Sequence, residues 1–228
     1  MIDTCLILAA GTQDRWNMRR TPRNMRVKQM IDIGGEALIS RTIRQLNQRK
    51  CRPIMVTNNG SISGLSVTSF QPADCRRVID TLSSTSEIWE GSVLVVLGDV
   101  CFSKATMDLM TRGTEDFKIF GYFERPHIDP VLDYKPGWRE IYALTFRPKE
   151  YNAVKRALQI VVGHVKAKKL KDFYNAYRMI KGIENDCVLD DPTFENIIDY
   201  TQDFDWYPTY ENFQKEVVDK KLLDDRRV

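Results

Sequence analysis

A glycine and a dense run of cations follow the first apolar segment of this 228-residue chain. The apolar segment covers residues 4–10 and ends at Gly11, and a glycine there lets backbone N–H groups approach a phosphate closely. Six of the fourteen residues from position 15 to position 28 are cationic: Arg15, Arg19, Arg20, Arg23, Arg26 and Lys28. Because a triphosphate carries about four negative charges, this density of cations predicts a loop that binds a triphosphate.

One carboxylate, Asp99, follows directly on the most apolar segment of the chain, residues 92–98. A carboxylate at the end of a buried strand is costly to desolvate unless it meets a cation. Mg²⁺ suits this position because proteins commonly hold it with one or two carboxylates together with substrate phosphates. Asp99 therefore predicts a Mg²⁺ site, where the metal would neutralise charge as pyrophosphate leaves.

The cationic loop and Asp99 can form one site only if the fold brings the ends of several strands together. Short apolar segments bounded by turn residues predict strands at residues 4–10, 31–33, 53–57, 66–70, 92–98, 117–123 and 141–146. Helical spacing of apolar residues predicts helices at 36–49, 74–82 and 86–89, two more between 148 and 183, and a last one near 210–223. In the first helix, one face is predicted to hold Leu38, Ile39, Ile43 and Leu46, and another to hold Arg41, Arg44 and Gln48.

Strands that alternate with helices indicate an α/β protein. The expected architecture is a Rossmann-like, three-layer, mostly parallel sheet with a helical C-terminal extension. In such sheets ligands bind beyond the carboxyl ends of the strands. Gly11, residues 58–60 and Asp99 all fall at strand ends of this kind.

Composition places the chain among globular proteins, since 43% of its residues are hydrophobic and 29% are charged. Residues 5–10, the longest apolar segment, are far too few to span a membrane, and no basic region precedes them as in a signal peptide. The five cysteines include no Cys-x-x-Cys pair, which argues against a zinc site or disulfide framework and favours the cytoplasm.

The net charge of +3 conceals an uneven distribution. Residues 1–50 hold 10 basic and 4 acidic side chains, residues 149–183 hold 9 and 2, and residues 184–228 hold 5 and 13. This asymmetry predicts an anionic partner for the basic segments or attraction between segments, and for residues 149–183 we favour pairing with the acidic segment. Few aromatic residues lie within the basic segments, so nucleic acid is not the expected partner.

Three segments also follow one another in the order of known motifs. Residues 6–46 contain an apolar strand, Ala-Ala-Gly, an arginine, a lysine and a Gly-x-x-Leu-Ile helix start, although Gln13 replaces a second glycine and Val27 replaces a proline. Residues 97–99 read Leu-Gly-Asp, and residues 203–213 resemble an Asp-Thr-x-Glu-Asp segment. Together these segments resemble the GT-A-like nucleotidyltransferases, a superfamily that includes sugar-phosphate nucleotidyltransferases, phosphocholine cytidylyltransferase and the molybdenum-cofactor guanylyl- and cytidylyltransferases.

The resemblance implies which residues bind phosphate. Ala9, Ala10 and Gly11 would belong to the nucleotide-binding loop, with Arg15 on the β- and γ-phosphates. Lys28 would stabilise charge at the α-phosphate. Two arginines of the same stretch, at positions 23 and 26, are the alternatives for that role.

The resemblance also implies the remaining members of the site. Gly98 and Ser86 would lie against the nucleotide, and Ser86 would be the N-cap of the predicted helix 86–89. Asp99 and Asp205 would hold Mg²⁺, with Asp203 as the alternative to Asp205.

These roles imply a nucleotidyltransferase that transfers NMP from an NTP to a phosphorylated small molecule, a sugar phosphate or phospho-alcohol, and releases pyrophosphate. One domain is expected, with residues 1–147 as nucleotide-binding core and residues 148–228 as the helical region that contacts the acceptor and completes the metal site. A GT-A glycosyltransferase that uses a nucleotide-sugar and a non-catalytic module that binds nucleotide or nucleic acid remain as alternatives, and a homo-oligomer is left open.

Overall fold

The computed structural model describes residues 2–10, 27–113, 115–122, 140–164, 166–167, 169–183, 188–204 and 207–224. The predicted phosphate loop at residues 11–26 and the predicted metal ligand Asp205 lie outside these residues. The strands are β1 (Thr4–Leu8), β2 (Pro53–Val56), β3 (Thr68–Phe70), β4 (Val93–Leu97), β5 (Val100–Cys101), β6 (Phe117–Tyr122), β7 (Glu140–Phe146), β8 (Phe194–Asn196) and β9 (Gln202–Asp203). The helices are α1 (Leu38–Gln48), α2 (Gly60–Ser63), α3 (Val78–Ser84), α4 (Lys104–Arg112), α5 (Tyr151–Gly163), α6 (Leu170–Lys181) and α7 (Tyr207–Phe213).

Seven of the described strands form one sheet in the order β3-β2-β1-β4-β7-β6-β8. The pairs β1–β2, β1–β4, β2–β3 and β6–β8 are parallel, whereas β7 is antiparallel to both β4 and β6. The other two described strands, β5 and β9, form a separate antiparallel ribbon. The sheet is therefore mostly parallel, as predicted.

Alternate residues of β1 face two different helical layers. Leu6 and Leu8 pack into a core with α3, α5 and α6, whereas Cys5 and Ile7 pack into a core with α1 and α4. All five residues of the strand are buried. A strand covered on both faces reads as an unbroken apolar run, which is why the sequence predicts it so clearly.

A third core joins the C-terminal helix to the segment that precedes α1. Phe204, Tyr210 and Phe213 pack with Ile31 and Leu38, and α7 continues into a π-helical turn. The rings of Phe204 and Phe213 meet edge to face with their centroids 5.1 Å apart. This core holds the C-terminal helix against the start of α1 and the segment that leads into it.

Two predicted elements are wrong. Residues 31–33 do not form a strand, because Gly34 and Gly35 have φ angles of +65° and +88° and turn the chain back into an isolated bridge between Asp32 and Ala37. Residues 86–89 do not form a helix, because they are the turn that follows α3. The last helix begins at Tyr207 rather than near residue 210.

The two helices predicted between residues 148 and 183 are confirmed as α5 and α6. No helix in the described ranges has the length and apolar character needed to cross a membrane.

Candidate functional site

The ends of β1, β2 and β4 meet at one edge of the sheet, which we call the carboxyl edge. The Gly98 N–H donates to the Leu8 carbonyl at 2.9 Å, and the Ala9 N–H donates to the Val56 carbonyl at 2.9 Å. The Thr57 hydroxyl donates to the Ala9 carbonyl at 3.1 Å. The chain therefore stays hydrogen-bonded across all three strands beyond their last residues, at the edge where ligands bind in open α/β sheets.

Gly98 allows β4 to pass very close to β1. A Cβ built on Gly98 would lie 3.0 Å from the Ala9 Cβ and 3.1 Å from the Leu8 carbonyl oxygen. Ala9 and Ala10 are themselves buried. Small residues are thus required here for packing, and the backbone contact with a nucleotide stays a prediction for these three positions.

Lys28 and Asp99 form an ion pair at the carboxyl edge. Lys28 Nζ lies 2.8 Å from Asp99 Oδ2, and the side chains are 6% and 34% exposed respectively. Both residues were predicted to belong to the site, although they lie 71 positions apart in the sequence. The Asp99 carboxylate thus faces the buried Lys28 ammonium, and its role as a metal ligand stays a prediction.

A single 3₁₀ turn, Lys28–Met30, positions the lysine. The Met30 N–H donates to the Val27 carbonyl at 2.8 Å, and the Ile31 carbonyl accepts from the Leu38 N–H at 2.9 Å. The turn is therefore tied directly to the first residue of α1. Because α1 packs on the sheet, the lysine is held by the protein core and not by a surface loop.

The β5–β9 ribbon brings an acidic C-terminal segment beside Asp99. Val100 pairs with Asp203, and Cys101 pairs with Gln202. Asp99 immediately precedes this ribbon on one strand, and Asp205 follows it by two residues on the other. Within the described residues no three His, Cys, Asp or Glu side chains form a metal-binding group. Carboxylate oxygens are the donors that Mg²⁺ prefers, so Asp99 and Asp203 are ligands of a suitable type, and the metal site itself stays a prediction.

The structure corrects the surroundings of Ser86. Ser86 follows α3 through a hydrogen bond to the Ser83 carbonyl at 3.2 Å, so it does not cap the start of a helix. Three residues later, Trp89 packs against Phe146, which pairs with Val93 at the start of β4. The predicted N-cap role of Ser86 is therefore wrong, and the nucleotide contact that the resemblance implies for Ser86 stays a prediction.

Arg41 is the residue near this edge whose environment the sequence predicts least well. It is only 5% exposed, although the helical pattern placed it on a face away from the apolar residues. One turn further along α1, the Gln45 side-chain amide donates to the Phe102 carbonyl just after β5. Arg41 and Gln45 are thus covered because the chain around the ribbon packs on this face of α1.

The basic segment 149–183 pairs with several parts of the chain. Arg178 contacts Asp191 of the acidic segment at 2.9 Å, as expected. Three lysines of the basic segment contact acidic residues outside residues 184–228: Lys149 contacts Asp116, Lys169 contacts Glu140, and Lys181 contacts Glu150. The predicted pairing with residues 184–228 is therefore correct for Arg178 and incomplete as a description of the segment.

No model of a protein family matches the sequence, and no curated protein matches it either. Solved structures do match. A Bacillus anthracis protein assigned as a glucose-1-phosphate thymidylyltransferase superposes with a TM-score of 0.61 at 13% identity, over 99% of this chain and 97% of that chain. The 4-diphosphocytidyl-2C-methyl-D-erythritol synthase of Anaerococcus prevotii gives 0.59 at 12% identity, over 94% and 98%. The inositol-1-phosphate CTP transferase of T. maritima gives 0.58 at 11% identity, over 94% and 96%.

At these identities the likeness establishes the fold. The chain has the α/β fold of the sugar-phosphate and phospho-alcohol nucleotidyltransferases, which is the fold that its sequence motifs implied.

Proposed function

We propose that this protein is an enzyme that transfers a nucleotidyl group from a nucleoside triphosphate to a small phosphorylated acceptor, a sugar phosphate or phospho-alcohol, and releases pyrophosphate. The observation that carries the proposal is the Lys28–Asp99 pair at the carboxyl edge, 2.8 Å apart, in a fold shared with nucleotidyltransferases. The free thiols Cys5, Cys51, Cys75 and Cys101 suit the reducing cytoplasm as its location.

Lys28 is the residue we assign to stabilise negative charge on the α-phosphate, whose phosphorus is attacked. Its ammonium is largely excluded from water, and a charge in such a place interacts more strongly with a phosphate than an exposed one does. Gly11 and Arg15 would bind the remaining phosphates, since they follow in sequence a strand that ends at this edge. All the groups assigned to the triphosphate would then act at the carboxyl edge.

Asp99 is the first ligand we assign to Mg²⁺, and Asp205 is the second, with Asp203 as its alternative. The support is the β5–β9 ribbon, which places the acidic C-terminal segment beside the residue that follows Asp99. When bound, Mg²⁺ neutralises negative charge on the phosphates and on the departing pyrophosphate.

The acceptor needs no general base if it attacks through a phosphate oxygen, which is already anionic near neutral pH. Catalysis then consists of holding the two reactants in line and offsetting their charge. The chain has only two histidines, which accords with such a mechanism.

A thermal-shift screen of the four NTPs, each with and without Mg²⁺, tests the proposal. A ligand at 100 times its Kd stabilises the folded state by about 2.7 kcal/mol. For a chain of this size that corresponds to a rise in Tm of roughly 5–10 °C. We expect one NTP to give such a rise with Mg²⁺, and pyrophosphate release when a suitable sugar phosphate or phospho-alcohol is added.

Asp108→Asn is the matched control for Asp99→Asn. Asp108 is 35% exposed, against 34% for Asp99, and it is paired with Arg49 and Lys104 away from the carboxyl edge. The Mg²⁺-dependent part of the shift should disappear in Asp99→Asn and persist in Asp108→Asn. Failure of every NTP to stabilise the wild type, or equal shifts in both variants, would refute the proposal.

A further inference from the structure

Asp199 connects the approach to β9 with the start of α4. The Thr106 hydroxyl donates to Asp199 Oδ2 at 2.7 Å, and the Ser103 hydroxyl donates to the same oxygen. Ser103 is the N-cap of α4, because its Oγ also accepts from the Thr106 N–H at 3.0 Å. One carboxylate oxygen therefore takes hydrogen bonds from two side chains at the helix that follows β5.

The other carboxylate oxygen of Asp199 holds the residue that leads into β9. Asp199 Oδ1 accepts from the Thr201 N–H at 2.8 Å. The Thr201 hydroxyl in turn accepts from the Ser103 N–H at 3.1 Å. We call Ser103, Thr106, Asp199 and Thr201 the Asp199 network. It joins the two chain segments at one end of the β5–β9 ribbon.

The paired residues of the β5–β9 ribbon are too few to fix its register by themselves. Each strand has two residues, and an isolated pair of strands is marginal in water even when much longer. A slip of one residue would exchange the faces of the half-buried Asp203 and the fully buried Phe204. It would also move the acidic segment relative to Asp99. The register therefore depends on contacts beyond the paired residues, and the burial of Phe204 in the third core is one of them.

We infer that Asp199 is a positioning residue that helps to fix β9 on β5 through Ser103 and Thr106, and thereby holds the acidic segment beside Asp99 for the divalent cation of the proposed metal site. The inference rests on the proposed function, since it concerns the second half of the same metal site. Asp199 would affect metal binding by holding the ribbon in place, and it would not bind the metal itself. Its three hydrogen bonds already engage both of its carboxylate oxygens.

A second turn with the same aspartate–threonine hydrogen bond provides a control for the Asp199 network. Asp191 Oδ1 accepts from the Thr193 N–H at 2.8 Å and from the Thr193 hydroxyl at 2.7 Å. Asp191 also binds Tyr174 and Arg178 on α6, far along the chain from the ribbon. We call Tyr174, Arg178, Asp191 and Thr193 the Asp191 network. Thr193→Val removes a hydroxyl from this network as Thr106→Val removes one from the other.

The experiment compares two variants that break the Asp199 network from opposite sides. Asp199→Ala removes the carboxylate, whereas the double variant Ser103→Ala/Thr106→Val keeps the carboxylate and removes both hydroxyls that hold it. Mn²⁺ serves as the probe, and its dissociation constant is measured by water proton relaxation with the NTP that stabilises the wild type. Hydrogen exchange at the amides of residues 100–101 and 202–203 reports the ribbon directly.

We expect both variants to bind Mn²⁺ roughly 10- to 100-fold more weakly, the range typical of residues that orient metal ligands. Both should also exchange the ribbon amides faster, while Thr193→Val changes neither reading. Weakening in Asp199→Ala alone would overturn the inference, because Asp199 would then be a ligand itself. Unchanged Mn²⁺ affinity in both variants would overturn it too. If the wild type binds no Mn²⁺ with any NTP, the proposed function fails and the inference fails with it.

Discussion

Two turns with the same local structure lie on either side of β8. In each, an aspartate accepts from the N–H of a threonine two residues later at 2.8 Å, Asp191 from Thr193 and Asp199 from Thr201. Their surroundings differ. The Asp191 side chain is fully buried against α6, whereas Asp199 is half-buried and faces the hydroxyls at the start of α4.

The comparison shows that the partner of a turn, and not the turn itself, decides what it contributes. Asp191 holds Arg178 and Tyr174 of α6, a helix whose apolar face belongs to the core. Asp199 holds a short ribbon that adjoins Asp99. Loss of the first should therefore reduce stability, and loss of the second should reduce metal binding more than stability.

The largest expected effect is that of Asp191→Ala on stability. Removal of the carboxylate leaves the Arg178 guanidinium, 12% exposed, without the carboxylate that faces it. Breaking a buried ion pair in this way costs about 3–5 kcal/mol in the free energy of unfolding. Urea denaturation at neutral pH measures this loss. A loss below about 1 kcal/mol, the net value of one ordinary hydrogen bond, would show that the Asp191 network is not the anchor described here.

Asp199→Ala should cost less, about 1–3 kcal/mol, because the groups it leaves unsatisfied are neutral hydroxyls and one N–H. The same urea series checks the order of the two variants. If Asp199→Ala proved the more destabilising, the distinction between a stabilising turn and a positioning turn would be lost.

Single hydroxyl deletions should have smaller effects of similar size in both networks. Thr106→Val and Thr193→Val each remove a hydrogen bond of 2.7 Å to an aspartate and keep the shape of the side chain, and Thr193→Val also removes a 3.1 Å hydrogen bond with the Tyr174 hydroxyl. Each should lower the free energy of unfolding by about 0.5–1.5 kcal/mol. If urea denaturation shows equal losses in the free energy of unfolding, any difference in Mn²⁺ affinity between the two variants must come from where the deleted hydroxyl lies. Losses that differ by more than this range would remove Thr193→Val as a control.

The smallest expected effect concerns pH and applies to Asp191. Burial raises the pKa of this carboxyl, but hydrogen bonds from Tyr174 and Thr193 and the charge of Arg178 outweigh burial and hold the pKa below its usual value. An unfolded aspartate has a pKa of about 3.9, so the unfolded chain takes up the proton first as pH falls. The stabilisation is therefore complete above about pH 4 and is lost as the pH falls through the native pKa. The stability advantage of the wild type over Asp191→Asn should shrink on acidification, and an advantage that grew would contradict this sign.

The sheet is predictable from sequence because its central strands are buried on both faces. Residues 4–10 and 92–98 read as apolar runs with glycine near their ends, and both form strands. The polar groups just beyond these strands can be assigned to one edge from topology alone. Asp99 could thus be placed at the site from its position after β4, whereas Lys28 was placed there by the family resemblance, with the arginines at positions 23 and 26 as alternatives.

Features that depend on distant packing were not predictable in the same way. Arg41 has the spacing of a surface residue, and it is buried because the chain around the ribbon covers that face of α1. Ser86 has the residue type of an N-cap, but α3 ends before it. Asp191 and Asp199 share the pattern Asp-x-Thr, and nothing local distinguishes the turn that stabilises from the turn that positions.

The third core has a consequence for the order in which the molecule is made. The turn that carries Lys28 leads into Ile31 and Leu38, and these residues pack against Phe204 and α7. Strands β1 to β4 are synthesised early and can pair at once, whereas the residues that complete the candidate site emerge more than 100 positions after Asp99. At about 5–20 residues per second, that interval is roughly 5–20 s. A nascent chain would therefore hold a sheet with a partly built edge, and activity would arise only when the C-terminal segment is complete.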